Sequence, residues 1–282
     1  MSLKLVVPKG RIYSKVADLL DEAGLKLSGD ERNYRPKTND PNFEVKKLKS
    51  QNIPPLVSLG QHDIGFAGLD WVKEQNAEVD VLLDLGFDPV KIIAAIPENW
   101  DIADLKKRKI IAVSEYQGLC QQYLNEQGFD YTFVRSYGAT EVFPPEDADI
   151  VVDNTSTGST LQANRLKIVD TIMTSSTCFI ANRKVMDDPS KREHIDNLLL
   201  LMKSILEGRD RVLLEMNCSE QAIDALVKSL PAMRAPTVSR LYNEAGFSVK
   251  AAVARSAVKD LIPQLLATGA TDILETPIRK VV

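Results

Sequence analysis

The chain has 282 residues, 44% of them hydrophobic and 26% charged, with a formal net charge of -4 at pH 7. That is enough apolar material for two or three ordinary domains, while the mild acidity gives no reason to expect a nucleic-acid partner and no apolar run reaches the length of a membrane span. Cys120, Cys178 and Cys218 are scattered without metal-ligand or disulfide spacing, and His62 and His194 are the only histidines, so a histidine-rich metal centre is excluded and a reducing, cytoplasmic setting is expected.

In chain order, Leu3 to Pro8 reads as a strand directly after Met1, which predicts no signal peptide. Ile12 to Ala23 is an amphipathic helix closed by Gly24. Phe43 to Leu48 reads as a strand, Ile53 to Leu59 as a short helix ending at Gly60, and Asp63 to Phe66 as a strand. Ile92 to Ile96 and Lys109 to Val113 are strands, followed by a helix from Gln117 to Gln127 capped by Gly128. Tyr131 to Val134, Asp149 to Val152 and Thr177 to Ala181 are strands, and Lys191 to Leu206 is a long helix. Alternation of strand and helix predicts mainly parallel sheets with ligands at the carboxyl ends of strands.

Two such sheets are expected. Residues 1–90, rejoined by 182–210, form a first lobe, and residues 91–181 a second, with hinges near Asp88-Pro89 and near Asn182. This is the plan of a two-lobed, periplasmic-binding-protein-like core with its site in the cleft. Residues 211–282 read differently: strands at Arg211–Met216, Thr237–Leu241, Ser248–Ala254 and Asp272–Glu275, with helices at Ser219–Ser229 and Val258–Ala267. That β-α-β-β-α-β order is the ferredoxin-like plan, used by small modules that bind regulatory amino acids or mediate assembly.

The most informative stretch is Ile150-Val151-Val152-Asp153-Asn154-Thr155-Ser156-Thr157-Gly158-Ser159-Thr160. A buried β-branched triplet leads into a loop of hydroxyls around one glycine, and a helix is expected to open at Leu161. Backbone N–H groups, a helix N-terminus and the freedom of Gly158 would together make an anion cradle. Asp153 stands at the strand end, where the hydroxyls of a sugar could be held. The order Asp, then Thr-Gly-x-Thr, resembles the loop by which phosphoribosyltransferases hold 5-phosphoribosyl 1-pyrophosphate, and no Walker loop occurs in the chain. A second cluster, Pro8-Lys9-Gly10-Arg11, sets two cations at the carboxyl end of the first strand, where a pyrophosphate could be met. With so little histidine, chemistry here runs on carboxylates, lysine, arginine and hydroxyls, with Mg²⁺. Such a kit suits transfer of phosphorylated groups, where positioning and charge neutralisation dominate.

These motifs, together with Ile53-Pro54, Asp63-Ile64-Gly65-Phe66-Ala67-Gly68-Leu69-Asp70, Leu83-Asp84-Leu85-Gly86-Phe87 and Glu141-Val142, give a chain that resembles the ATP phosphoribosyltransferase family, the first enzyme of histidine biosynthesis. Gly269-Ala270-Thr271-Asp272-Ile273-Leu274 is similar to the regulatory domain of the family's long form. The resemblance implies attack by N1 of ATP on C1 of phosphoribosyl pyrophosphate, with loss of pyrophosphate. It implies Thr155, Ser156, Thr157, Gly158, Ser159 and Thr160 on the 5-phosphate and Asp153 on the ribose hydroxyls. Lys9, Gly10 and Arg11, with Lys49 as a further cation, would meet pyrophosphate. Glu141 would serve ribose or Mg²⁺, and Asp70 the nucleotide. It further implies inhibition by histidine and a homo-oligomer, a dimer or hexamer. The chain differs from the family pattern at Lys49, Asn52 and Glu115-Tyr116-Gln117. Two other readings stay open: a phosphoribosyltransferase acting on a free base, and a two-lobed anion-binding sensor without turnover.

Overall fold

The computed structural model describes residues 2–29 and 33–282, which fall into two units, 1–195 and 196–282. The first unit opens with β1 (Leu3–Pro8), buried except at Lys4, and the amphipathic α1 (Arg11–Glu22). The two-residue strands β2 (Leu27–Ser28) and β3 (Lys37–Thr38) precede β4 (Phe43–Leu48), α2 (Ile53–Ser58), β5 (Ile64–Gly68) and α3 (Leu69–Glu74). β1 pairs parallel with β4 and β5, and apolar residues on both faces are what such a covered parallel strand requires. The chain continues through β6 (Val79–Pro97), α4 (Ile102–Leu105), β7 (Ile110–Ser114), α5 (Gln117–Glu126), β8 (Tyr131–Arg135), β9 (Ile150–Thr155), α6 (Ser159–Ala163), β10 (Leu166–Asn182) and α7 (Pro189–Arg209). Eight strands form one sheet in the order β4-β1-β5-β10-β6-β9-β7-β8.

The two long strands decide this architecture. β6 and β10 run antiparallel from Val79↔Asn182 to Pro97↔Leu166. β10 also pairs with β5 over Thr177–Ala181, while β6 pairs with β9 over Lys91–Ala95. The sequence reading found only the apolar ends of these strands, Ile92–Ile96 and Thr177–Ala181. Gly86, Asp88 and Pro89 hid the rest, because no local pattern marks a strand whose partner lies far along the chain, here from 69 residues away at Pro97↔Leu166 to 103 at Val79↔Asn182. Register shifts at Ser175/Thr177 and Thr177/Cys178 face Asp84 to Val90, where Gly86 and Asp88 take positive φ of 65° and 46°. Such irregularities bend a strand, and here the sheet passes from one lobe to the other.

Asp88, at one of the two expected hinges, falls in this irregular stretch. Asn182 is instead a pinned corner: its side-chain amide donates to the carbonyls of Val57 (2.8 Å) and Ser58 (3.1 Å), and its oxygen accepts from the Lys184 N–H. The break in β10 lies upstream, at Ser175–Cys178. α7 also differs from expectation, since the first unit ends at Ile195, inside that helix, rather than after residue 210.

The second unit consists of the end of α7, then β11 (Arg211–Cys218), α8 (Ile223–Ser229), β12 (Thr237–Arg240), β13 (Phe247–Ala254), α9 (Val258–Ala267) and β14 (Ala270–Pro277). The antiparallel order β12-β13-β11-β14 is the ferredoxin-like topology that the residue pattern predicted. β11 alternates strictly: Val212, Leu214, Met216 and Cys218 are buried and pack with Leu226 of α8 and Leu261 and Leu265 of α9.

Candidate active site

Where the lobes join, a cavity of about 150 Å³ is lined by Arg11, Asp70, Asp88, Tyr116, Asn154 and Ser175 among others. These residues come from five elements and the loop before α5. Arg11 opens α1, Asp70 lies in the first turn of α3, and Asp88 occupies the irregular middle of β6. Tyr116 precedes α5, Asn154 is the penultimate residue of β9, and Ser175 sits at the break in β10. Arg11 and Ser175, 164 residues apart in sequence (175 − 11), share one floor because β6 and β10 carry the chain across and back.

β9 delivers the hydroxyl loop. Ile150, Val151 and Val152 are fully buried, which fixes where the strand ends and Asp153 emerges, half-buried. Beyond it the loop is preformed. Thr155 Oγ1 accepts from the Gly158 N–H at 2.9 Å, Thr157 Oγ1 accepts weakly from the Ser159 N–H at 3.4 Å, and the Thr157 and Ser159 hydroxyls share a bond of 3.0 Å. Gly158 holds φ at 79°, a conformation that costs other residues roughly 1–2 kcal/mol. The helix that follows begins at Ser159, not at Leu161, and is only five residues long. One turn sums few peptide dipoles, so any anion here is held by loop N–H groups and hydroxyls rather than by a helix field.

Burial pushes the Asp153 carboxyl up to about 6, and the Glu115 and Glu141 carboxylates push the same way, against the Asn154 N–H and the Thr140 hydroxyl that stabilise its ionised form. The Asn154 N–H donates to Asp153 Oδ1 at 2.7 Å. Glu141 lies half-buried in a single 3₁₀ turn, Thr140–Val142.

On the first lobe, Lys9, Gly10 and Arg11 line an adjoining cavity of about 600 Å³ together with Tyr13, Tyr34 and Lys47. Gly10, at φ 86° and ψ -151°, forms the turn that leads from β1 into α1. Arg11 Nε stands 3.7 Å from Asp88, which also takes Lys15 Nζ at 2.9 Å. Lys47 was missed by the sequence reading although a signal exists. The alternation that buries Phe43 and Val45 puts Lys47 on the same face of β4. It is 3% exposed, with Nζ 4.4 Å from the centre of the Tyr13 ring. Lys49 lies apart from this group. It lines a third cavity, of about 370 Å³, with Asn52, Trp71, Glu115, Arg135 and Tyr137. Lys49, Asn52 and Glu115, the positions that the sequence resemblance marks as different, thus meet in one place. His62 is in none of these cavities and lines a separate one with Lys4, Arg35 and Lys46.

Asp70 is placed differently from the expectation of a nucleotide contact. It is 5% exposed, and both carboxylate oxygens are taken, Oδ1 by the Ser175 hydroxyl and Oδ2 by the Tyr116 hydroxyl, each at 2.7 Å. Tyr116, Asn154 and Ser175 carry no local sequence signal for this role, because only the sheet crossing brings them together.

Residues 49–204 match the family model described as ATP phosphoribosyltransferase. The chain belongs to the ATP phosphoribosyltransferase family. Residues 208–280 match the model of the family's C-terminal domain, which makes this the long form. Proteins named ATP phosphoribosyltransferase from Desulforudis audaxviator and Pelotomaculum thermopropionicum are 39% and 38% identical to it, each over the whole of both chains. A chain of the ATP phosphoribosyl transferase (HisG:HisZ) complex from Thermotoga maritima shares its fold with a TM-score of 0.64 at 22% identity, covering 71% of this chain and 98% of that one.

Proposed function

We propose that the chain transfers the 5-phosphoribosyl group of phosphoribosyl pyrophosphate to N1 of ATP, releasing pyrophosphate, as the first step of histidine biosynthesis. The observation that carries this reading is the shared cavity at the join of the lobes. Asn154, next to Asp153 and the hydroxyl loop, lines it from one lobe, and Arg11, of the Lys9-Gly10-Arg11 turn, lines it from the other. A donor held by its 5-phosphate on one lobe would present its pyrophosphate to cations on the other.

In this reading Thr155 to Thr160 wrap the 5-phosphate and Asp153 accepts from the ribose hydroxyls. Lys9 and Arg11 meet the pyrophosphate, with Lys47 adding positive charge beside them, while Lys49, in the neighbouring cavity with Asn52 and Glu115, is not placed on it. The bond from C1 to the pyrophosphate oxygen breaks as the N1 lone pair of adenine forms the new bond, and the ring nitrogen needs no prior deprotonation. The residues therefore hold two reactants in line and neutralise a leaving group, rather than move protons. Among the described residues no three ligating side chains gather as a metal cage. Mg²⁺ suits such a site through one or two carboxylates plus substrate phosphates, and Asp153 and Glu141 are the carboxylates that would face it. Bound there, it would neutralise charge on the pyrophosphate. We place the reaction in the cytoplasm, in keeping with three buried free thiols, and infer a homo-oligomer, a dimer or hexamer. A monomeric mass in light scattering would overturn that assembly.

The test is pyrophosphate release from phosphoribosyl pyrophosphate with ATP, with and without Mg²⁺. Turnover with ATP and Mg²⁺, and none with adenine, guanine or orotate, is expected; donor binding without turnover would make the chain a sensor. The loop assignment has its own check. Thr157→Ala should weaken donor binding about tenfold, the low end of the roughly 1.5–3 kcal/mol for a hydrogen bond to a charged group. Gly158→Val should weaken it about thirtyfold, since strain at such a φ costs on the order of 1–3 kcal/mol. Ile168 Cδ1, at 3.9 Å, is the one protein atom near a new Cβ, so the protein itself has room for it. Calorimetric titration of the donor reads both variants, and unchanged affinity in both removes the loop from the site.

A further inference from the structure

We propose that the hydrogen-bonded chain Ser175–Asp70–Tyr116–Asn154, buried at its first three residues and exposed at Asn154, is a positioning device for the phosphoribosyl donor, with Tyr116 the positioning residue that fixes how Asn154, and Asp153 beside it, face the cleft. The proposal rests on the reading of the loop after β9 as the donor site.

The chain of bonds has a direction imposed by chemistry. A carboxylate only accepts, so at Asp70 the Ser175 and Tyr116 hydroxyls must both donate, and both do so at 2.7 Å. Distances of this length between a hydroxyl and a carboxylate mark charge-assisted bonds. Having given its proton to Asp70, the Tyr116 oxygen can only accept, and it accepts from Asn154 Nδ2 at 3.1 Å. Asn154 therefore has no freedom to flip its amide. Its nitrogen is committed to Tyr116, with a longer contact of 3.3 Å to Asp153 Oδ1, and its carbonyl oxygen is left for a donor group of a ligand. A buried carboxylate, two hydrogen bonds away through Tyr116, sets the polarity of a side chain in the loop.

Everything around the chain serves its rigidity. Tyr116 is 1% exposed, and its ring stacks on Trp71 with centroids 4.6 Å apart and an interplanar angle of 26°. Burial and the Asp70 charge both push its phenol above the usual range, so it stays protonated. The Asp70 N–H in turn donates to the Ser175 hydroxyl at 2.9 Å. Gly68 is needed for this arrangement although its φ of -64° is ordinary, because a Cβ there would stand 2.1 Å from Asp70 Oδ1. Asp70 belongs to the first lobe, Ser175 to the break in β10, and Tyr116 and Asn154 to the second lobe. The bonds thus cross the join of the lobes along the wall of the 150 Å³ cavity that Arg11 also lines. A buried carboxylate without a cation is costly unless its bonds are complete, and here they are completed by groups that end at the loop.

The test is Tyr116→Phe in the full chain, which keeps the ring and its stack and removes the one oxygen. Donor affinity by calorimetry should fall about tenfold, the upper end for one net hydrogen bond, here that of the Asn154 carbonyl to the donor, and KM for the donor should rise in step while KM for ATP stays within about twofold. Asn154→Ala should show a similar donor effect, and the double variant no further loss, because both act through one bond. Gly68→Ala, which leaves Tyr116 and Asn154 intact but drives the Asp70 carboxylate away, should reproduce the donor effect. A purely structural role would lower the melting temperature without moving the donor KM relative to the ATP KM. Unchanged donor affinity in Tyr116→Phe, or additive losses in the double variant, would overturn the proposal. If the unaltered chain itself binds no donor, the reading of the loop falls, and that outcome is distinct from a variant that binds as well as the parent.

Discussion

Asp153→Asn is expected to lower kcat/KM for the phosphoribosyl donor about a hundredfold, with no loss of fold stability at neutral pH. A carboxylate can accept from two ribose hydroxyls, whereas an amide offers one acceptor and a misdirected donor. Each hydrogen bond to a charged group contributes about 1.5–3 kcal/mol, and each 1.4 kcal/mol is tenfold. The pH dependence has a definite sign. Hydroxyl donors favour the ionised carboxylate, so donor affinity should climb as pH rises through about 6, the value to which burial, Glu115 and Glu141 raise Asp153, and level off above it. Stability runs the other way. The folded chain holds this proton more tightly than an unfolded carboxyl of pKa about 3.9, so that contribution is complete at low pH and lost as pH rises through about 6. Asparagine carries no such loss, so the variant should melt at the same temperature or higher near pH 7.5. Glu115→Gln, which removes one of the charges raising Asp153, should shift the inflection in donor affinity downward. Wild-type turnover by Asp153→Asn, or a donor affinity flat across the range from about pH 5 to 7, would remove Asp153 from the ribose.

L-histidine is expected to bind the full chain and to change apparent substrate affinity roughly 5- to 150-fold, the range set by a typical coupling of about 1–3 kcal/mol. The C-terminal unit motivates this expectation, together with the long-form resemblance. Its exposed edge strands are β12, which carries Ser239, and β14, which carries Thr271. Near Thr271 a polar cluster is already formed: Asn217 Nδ2 donates to Asp272 Oδ2 at 3.0 Å, and the Thr271 hydroxyl contacts the same oxygen at 3.2 Å. An amino acid presents an ammonium and a carboxylate, and such a cluster with free edge N–H groups can meet both. Inhibition requires that histidine bind an inactive arrangement better than the active one, and the coupling is reciprocal, so substrates must weaken histidine by the same factor.

A chain cut after Asp210 is a poor test. The Ser204 carbonyl accepts from the Val281 N–H, and Gly208 lies so close to the backbone of Arg279 and Lys280 that a Cβ would sit 2.9 Å away. Removing residues 211–282 would strip the helix of the segment packed on it. The cleaner comparison is calorimetric titration of histidine into the full chain and into full-length Ser239→Arg/Thr271→Arg. Loss of binding in the variant, with catalysis retained, supports the edge-strand site. Unchanged binding in the variant, or none to the parent chain, sinks it.

Much of this protein is written locally. The triplet Ile150–Val152 and the hydroxyls after it marked both a buried strand and a loop with a glycine that needs positive φ, because strand burial and glycine freedom are properties of a few adjacent residues. The alternating apolar residues of β11 and the two helices of the C-terminal unit likewise carried the ferredoxin-like order. Elements whose partner lies far along the chain were not legible. β6 and β10 look like fragments, because Gly86, Asp88 and Pro89 interrupt any local pattern, and their hydrogen bonds come from each other and from β5 and β9, all far along the chain. Asp70 shows the same limit on the chemical side. As sequence it was one acidic residue at a turn, open to contact with a nucleotide. In the fold it is a buried acceptor committed to Ser175 and Tyr116, at sequence separations of 105 and 46. The sequence by itself determined which residues can cradle an anion and which segments must be buried, since those follow from side-chain chemistry and short-range periodicity. Only the tertiary structure decided which carboxylates face a ligand and which are occupied by the protein, because burial and hydrogen-bond direction depend on groups that meet only once the long strands have carried the chain across the cleft and back.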